Sequence, residues 1–310
     1  MKHLLKQRSE VIQKIRQFFY SENFIEVETP ILSKYASVDV HLDSFETAFE
    51  QAKTSIHPMY LQTSPEFHMK RLLSEESGSI FQITKAFRNG EVGRKHNPEF
   101  SILEWYRIDY DYKELMQQVE QLINSVLGLG QYRYITYEDA FVNSLKVNPY
   151  TISNSDLNQL VATYDIELSK SLHTRDEMLD YLFTHCIEPK LAGRTFIYNY
   201  PKSQAALAQI NPTDPRTACR FELYIDGIEL CNGFEELTDA HEQEQRFILD
   251  NRERLRLGKK ELPYDRLFIE ALKRGMPKCS GVAVGLDRLI MIALKKSSLE
   301  EVIAFPYNKT

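Results

Sequence analysis

Only four of the 310 residues are cysteine, Cys186, Cys219, Cys231 and Cys279, and no two of them form a CxxC pair. That spacing suggests neither a zinc site nor a disulfide framework. No apolar run reaches the length of a membrane span, and the opening MKHLLKQRSE lacks the apolar core of a signal peptide. A cytoplasmic protein with no membrane partner is expected. A long basic run is missing too, and the net charge is −6. Proteins that grip nucleic acid usually carry a basic footprint, so this balance argues against tRNA without excluding a local basic patch. Neither GxxxxGK[ST] nor GxGxxG occurs, which removes support for the common nucleotide-binding folds. Internal repeats and low-complexity tracts are absent. What remains is an ordinary globular composition, 43% hydrophobic and 26% charged, long enough for one large domain or two small ones.

The most informative stretch is 87–107, FRNGEVGRKHNPEFSILEWYR. It reads as a strand, a polar loop and a return strand. The loop carries Arg88, Glu91, Arg94, Lys95 and His96, more charge than a hairpin needs. In the return strand, alternation puts Phe100, Ile102, Glu104 and Tyr106 on one face and Trp105 on the other. An aromatic, a carboxylate and a phenol side by side make a poor core but a plausible floor for a polar ligand with a flat ring. Trp105, the single tryptophan, is expected in the core. Arg88 would project from the small-residue face of the first strand, placed to hold a phosphate bidentately. The plain alternative for one exposed arginine is a surface salt bridge.

Elsewhere, residues 4–19 show helical spacing of Leu4, Leu5, Arg8, Val11, Ile12, Ile15, Phe18 and Phe19. Strands are expected at 59–63, 80–88, 196–201 and 281–286, and helices at 113–127, 239–257 and 287–295. The 239–257 helix is charged enough to read as a solvated face. Two more helical patterns lie near 155–164 and 175–185, the second opened by a Thr174/Glu177 capping box. Asp226-Gly227 signals a type I′ hairpin turn within 218–234. The order of elements predicts an α+β architecture, an antiparallel sheet flanked by helices.

Three segments carry a family resemblance. FRNGEVGRKHNPEF resembles motif 2 of class II aminoacyl-tRNA synthetases, with HNPEF resembling the lysyl, aspartyl and asparaginyl branch. FIEVETP at 24–30 is similar to motif 1, and GLDR at 285–288 with its following apolar run is similar to motif 3. SPEFHMKRL at 64–72 and ELCNGFEEL at 229–237 look lysyl-like. The resemblance implies a catalytic domain spanning 1–310, with a variable helical insertion at about 131–192. About two dozen residues precede motif 1, too few for the anticodon-binding barrel of lysyl-type enzymes. Such a chain is most similar to the truncated lysyl-tRNA synthetase paralogues that modify elongation factor P. In that family ATP activates a lysine-type amino acid, preferentially (R)-β-lysine, which is then joined to a lysine side chain of the factor. A free-standing ligase with a tRNA or small-molecule acceptor and a non-catalytic amino-acid-binding paralogue are the alternatives. Motif 1 implies a homodimer.

Site residues follow from the same resemblance. Arg88 and Arg288 would be catalytic, on the α-phosphate and the terminal phosphate. Asn89, Gly90, Glu91, His96, Asn97, Phe100, Glu229, Leu230 and Gly285 would complete the ATP site, with Phe100 on adenine, His96 towards the phosphates, and Glu91 and Asn97 holding either the purine edge or the loop. Ser64, Pro65, Glu66, Tyr106, Asn232, Glu236 and Ala283 would form the amino-acid pocket, with Glu66 and Glu236 meeting the two amino groups. The hairpin register pairs Ile225 with Ile228 and Tyr224 with Glu229, so Glu222 and Glu229 share a face and could hold Mg²⁺; two exposed strand glutamates are the plain alternative. Strict alternation would put Glu236 on the opposite face from Glu229, and a bulge at Gly233 is the expected remedy. Ala283 replaces the glycine that lysyl-type enzymes usually carry there; it either floors the pocket or merely packs against a neighbouring strand.

Overall fold

Residues Lys2–Ser21 form the opening helix, an uninterrupted run without glycine or proline. It buries Val11, Ile15 and Phe19, while Leu5 stays exposed. Phe19 stacks on Phe81 with ring centroids 4.5 Å apart and meets Trp105 edge-on. Trp105 is fully buried, as expected, and its indole N–H donates to Gln118 at 3.0 Å. That bond ties the sheet to the helix Tyr112–Leu127, which Asp111 and Glu114 cap reciprocally and which ends at Gly128. The structure is a computed structural model describing residues 1–51, 55–170, 172 and 174–310; positions 171 and 173 of the expected insertion lie outside the described residues.

The chain divides into two units, Met1–Gly128 with Glu236–Thr310, and Leu129–Glu235. In the first unit, Ile80–Phe87 pairs antiparallel with Glu99–Ile108, which pairs antiparallel with Cys279–Gly285. Ile25–Glu26 adds a short parallel edge. A separate small sheet holds Leu32–Ser33, Ser55–Leu61 and Glu46–Gln51, so the strand expected at 59–63 starts earlier and stops at Leu61. The helices Glu66–Leu73, Ala240–Arg256, Arg266–Arg274 and Leu286–Ala293 complete this unit's described regular helices together with the two above. Ala240–Arg256 is not merely a solvated face: it buries Gln243, Phe247, Asn251 and Arg254. The Arg254 guanidinium reaches Asp43 at 3.1 Å and the Asp39 carbonyl at 2.8 Å.

In the second unit, Arg194–Pro201 pairs parallel with Tyr132–Thr136 and antiparallel with Thr217–Ile225, which forms a hairpin with Ile228–Glu235. Helices Asn154–Tyr164 and Arg175–Leu182 stand where the sequence places them, and the Thr174/Glu177 capping box is present. The strand Tyr132–Thr136 and helix Tyr137–Leu145 were not anticipated. Their core joins Tyr137 and Phe141 to Leu157, Leu179, Phe183 and Tyr200. All four cysteines are buried thiols. Among the described residues, no helix is long and apolar enough to cross a membrane.

Candidate active site

The first unit builds one polar sheet face. Phe100, Ile102, Glu104 and Tyr106 line it, and across the ladder stand Gly285 beside Ile102, Ala283 beside Glu104 and Gly281 beside Tyr106. A methyl group at Gly281 would overlap the Tyr106 ring and the Glu236 carboxylate, so glycine is required there. Gly281 is therefore a strand residue that abuts Glu236, and Ala283 lies two residues along, opposite Glu104.

Arg88 follows the first strand, its N–H held by the Pro98 carbonyl at 2.9 Å. Its guanidinium lies over the Phe100 ring, 5.0 Å from the centroid, and 3.7 Å from Glu91. Its Nε is buried with no hydrogen-bond partner among the described residues. A buried guanidinium N–H without an acceptor is costly, and an anionic ligand would satisfy it. Gly90 has φ +86°, a left-handed turn that favours glycine, and the Asn89 N–H donates to the Asp43 carbonyl.

The GLDR segment divides its work. Asp287 is buried, pairs with Arg8 at 2.6 Å and accepts from the Ser101 N–H at 2.7 Å, which fastens the helix Leu286–Ala293 to the sheet and to the opening helix. Arg288 reaches the loop instead, contacting His96 Nε2 at 2.7 Å and the Lys95 carbonyl at 3.2 Å. Burial pushes the His96 pKa down, and Arg288 pushes it further. The imidazole is thus neutral near pH 7, with Nε2 accepting from Arg288. Both ends of Asn97 are engaged, Nδ2 donating to the Glu99 carbonyl at 2.5 Å and Oδ1 accepting from the Tyr307 N–H at 2.9 Å. These bonds tie Asn97 to the loop and to Tyr307.

The amino-acid pocket residues meet around a helix. Ser64 Oγ accepts from the Glu66 N–H at 3.3 Å, and Pro65 immediately precedes the helix Glu66–Leu73. One turn on, the buried Lys70 ammonium bridges Glu66 at 2.6 Å and Glu236 at 2.5 Å. Burial alone would lower the Lys70 pKa, but Glu236 and Glu66 outweigh it and raise it. Tyr106 donates to Glu104 at 2.7 Å, and the other Glu104 oxygen is buried without a hydrogen-bond partner among the described residues. Burial, reinforced by Glu66, pushes the Glu104 pKa up to about 8. Burial pushes Glu236 up to about 7 despite the neighbouring Lys70. Sequence reasoning gave Lys70 no place in the site, and it put Glu104 on the ligand-floor face without naming it among the pocket residues. The Glu66/Lys70 spacing of one helical turn was a usable signal for the first, and strand alternation for the second.

The hairpin forms in the second unit with the expected register, Ile225 opposite Ile228 and Tyr224 opposite Glu229. Asp226 and Gly227 both have positive φ, as a type I′ turn demands. The bulge falls between Glu229 and Cys231, at Leu230 rather than Gly233. It still supplies the parity change, returning Asn232 to the face of Glu229. Glu222 accepts from Arg220 at 2.7 Å, Tyr200 at 2.6 Å and Tyr224 at 2.5 Å. Arg220 also donates to Asn232 at 3.2 Å. A carboxylate has about four lone-pair sites, so one remains on Glu222 for a cation. Among the described residues, no group of three or more His, Cys, Asp or Glu side chains could cage a metal. Two carboxylates on one face suit a Mg²⁺ that arrives on phosphate oxygens and keeps its waters.

Comparison with known proteins gives the class first: residues 1–309 match the sequence profile of the class II tRNA synthetases (D, K and N), and the chain belongs to that family. Three curated relatives narrow the likeness. They come from Vibrio cholerae serotype O1 (48% identical), Vibrio atlanticus (46%) and Photobacterium profundum (47%), and each is named elongation factor P–(R)-β-lysine ligase. The matches span 98–99% of this chain and 95–96% of the relatives.

Proposed function

We propose that this protein is an ATP-dependent ligase that activates (R)-β-lysine as its adenylate and transfers it to a lysine side chain of elongation factor P. The observation that carries the reading is the nearly full-length likeness to relatives named for that reaction. The acids Glu66 and Glu236 agree with it, since a diamino acid needs an anion for each ammonium in a water-poor pocket.

The substrate carboxylate attacks the α-phosphorus of ATP, and pyrophosphate leaves with the bond electrons. No protein nucleophile is required. Arg88 offers its unsatisfied Nε–H where negative charge builds. Arg288, positioned by neutral His96, supports the terminal phosphate at the start of its helix. Phe100, which carries Arg88 over its ring, would stack on adenine. Asn89, Gly90, Glu91 and Gly285 shape the nucleotide site around them. Bound Mg²⁺, held by Glu222 and Glu229, would neutralise phosphate charge. In the second half-reaction the neutral acceptor amine attacks the adenylate carbonyl, AMP leaves, and the amine loses a proton.

A homodimer through motif 1 is part of this reading, supported by the exposure of Ile25, Ile31 and Leu32. So is a cytoplasmic location, with tRNA not used as acceptor. The test is pyrophosphate exchange into ATP with (R)-β-lysine and no macromolecule present. Exchange is expected; its absence with active, folded protein would contradict the reading.

A further inference from the structure

The cluster around Lys70 goes one step beyond this reading and rests on it. Three carboxylates, Glu66, Glu104 and Glu236, converge in the first unit, and two of them are almost wholly buried. Buried carboxylates in such a group repel one another and take up protons unless a cation joins them. A protonated acid offers no charge to a substrate ammonium. Lys70 is completely buried, and its ammonium lies 6.0 Å from the Tyr106 ring centroid and 5.8 Å from that of Phe268. One oxygen of Glu66 and one of Glu236 are its ion-pair partners.

We propose that Lys70 is a specificity-determining positioning residue, an internal cation that ion-pairs with Glu66 and Glu236 and holds both carboxylates aimed so that the pocket accepts the two ammonium groups of a diamino acid. Lys70 itself touches no reacting atom. The titratable groups facing it are Glu66 from its own helix, Glu104 and Tyr106 from the Glu99–Ile108 strand, and Glu236. The Arg266–Arg274 helix presents the Phe268 ring, and the Cys279–Gly285 strand contributes the Gly281 backbone N–H to Glu236.

The sign of the effect follows. Even beside Lys70, Glu236 titrates near neutrality. Removing the cation moves that carboxyl higher, so at neutral pH it holds a proton that an incoming ammonium must displace. Binding should weaken at neutral pH and recover as the pH rises.

The experiment compares wild type with Lys70→Met, Lys70→Gln and Lys70→Arg by pyrophosphate exchange with (R)-β-lysine. For the uncharged variants, KM for the amino acid should rise by about tenfold or more near neutral pH. Their kcat and KM for ATP should stay within about twofold, and the KM defect should shrink at about two pH units higher. Lys70→Arg keeps the charge and should show a smaller amino-acid KM defect than the uncharged variants. An unchanged amino-acid KM in a folded uncharged variant would overturn the proposal, as would equal damage to the ATP KM. If neither uncharged variant folds while Lys70→Arg does, the ammonium is a structural counter-ion and the substrate role is overturned. Inactive wild type would instead sink the proposed function before any variant is compared.

Discussion

At the scale of single residues, charge in a dry site decides most of what this protein does. Arg88→Ala removes a guanidinium whose Nε has no hydrogen-bond partner among the described residues, so stability should change little. Pyrophosphate exchange should fall by roughly 10²-fold or more if that group stabilises charge on the α-phosphate. Near-normal exchange would remove Arg88 from the mechanism. Glu104 gives a test by pH. Its folded-state pKa of about 8 lies above the ordinary carboxylate value, so its stabilising contribution is complete at acidic pH and is lost as the pH rises through about 8. Glu104→Gln mimics the protonated acid, and its urea midpoint should fall less than that of wild type between mildly acidic and mildly alkaline pH. Parallel profiles would contradict the buried, neutral Glu104. Ala283 stands opposite Glu104 on the pocket face. Ala283→Gly should raise kcat/KM for α-lysine relative to β-lysine by about tenfold, because one methyl in a packed pocket shifts discrimination by about 1–3 kcal/mol. An unchanged ratio would leave Ala283 as simple packing.

At the scale of elements, the opening helix is held by an aromatic cluster. Phe19 is fully buried between Phe81 and Trp105, so Phe19→Ala should cost about 3–5 kcal/mol in denaturant unfolding. A loss below about 1 kcal/mol would show that the helix adds little to the sheet. Local chemistry made several elements readable in advance. Asp226-Gly227 set the hairpin register, Gly128 ended a helix, and period-two alternation placed Trp105 and Tyr106 on opposite faces. Other features depend on packing between distant segments and leave a weaker local trace. The Leu230 bulge is one, because leucine carries no bulge signature whereas Gly233 does. The helix Ala240–Arg256 is another: its charged sequence hides Arg254, whose buried guanidinium bonds to backbone far away in the chain. Lys70 is a third: nothing local marks a lysine on a short helix as buried until Glu66 and Glu236 are seen to enclose it.

At the scale of the whole molecule, the question is the acceptor. Class II motifs define activation of an amino acid, and the family match accounts for that chemistry along the chain. Motifs shared with tRNA-charging enzymes do not name the final acceptor, which under the proposed function is elongation factor P. The most direct test is intact-mass spectrometry of elongation factor P and, separately, of bulk tRNA after incubation with this protein, ATP and (R)-β-lysine. The account predicts that elongation factor P gains the mass of one lysyl residue on a lysine side chain while tRNA stays uncharged. Efficient charging of tRNA with no mass gain on the factor would contradict it.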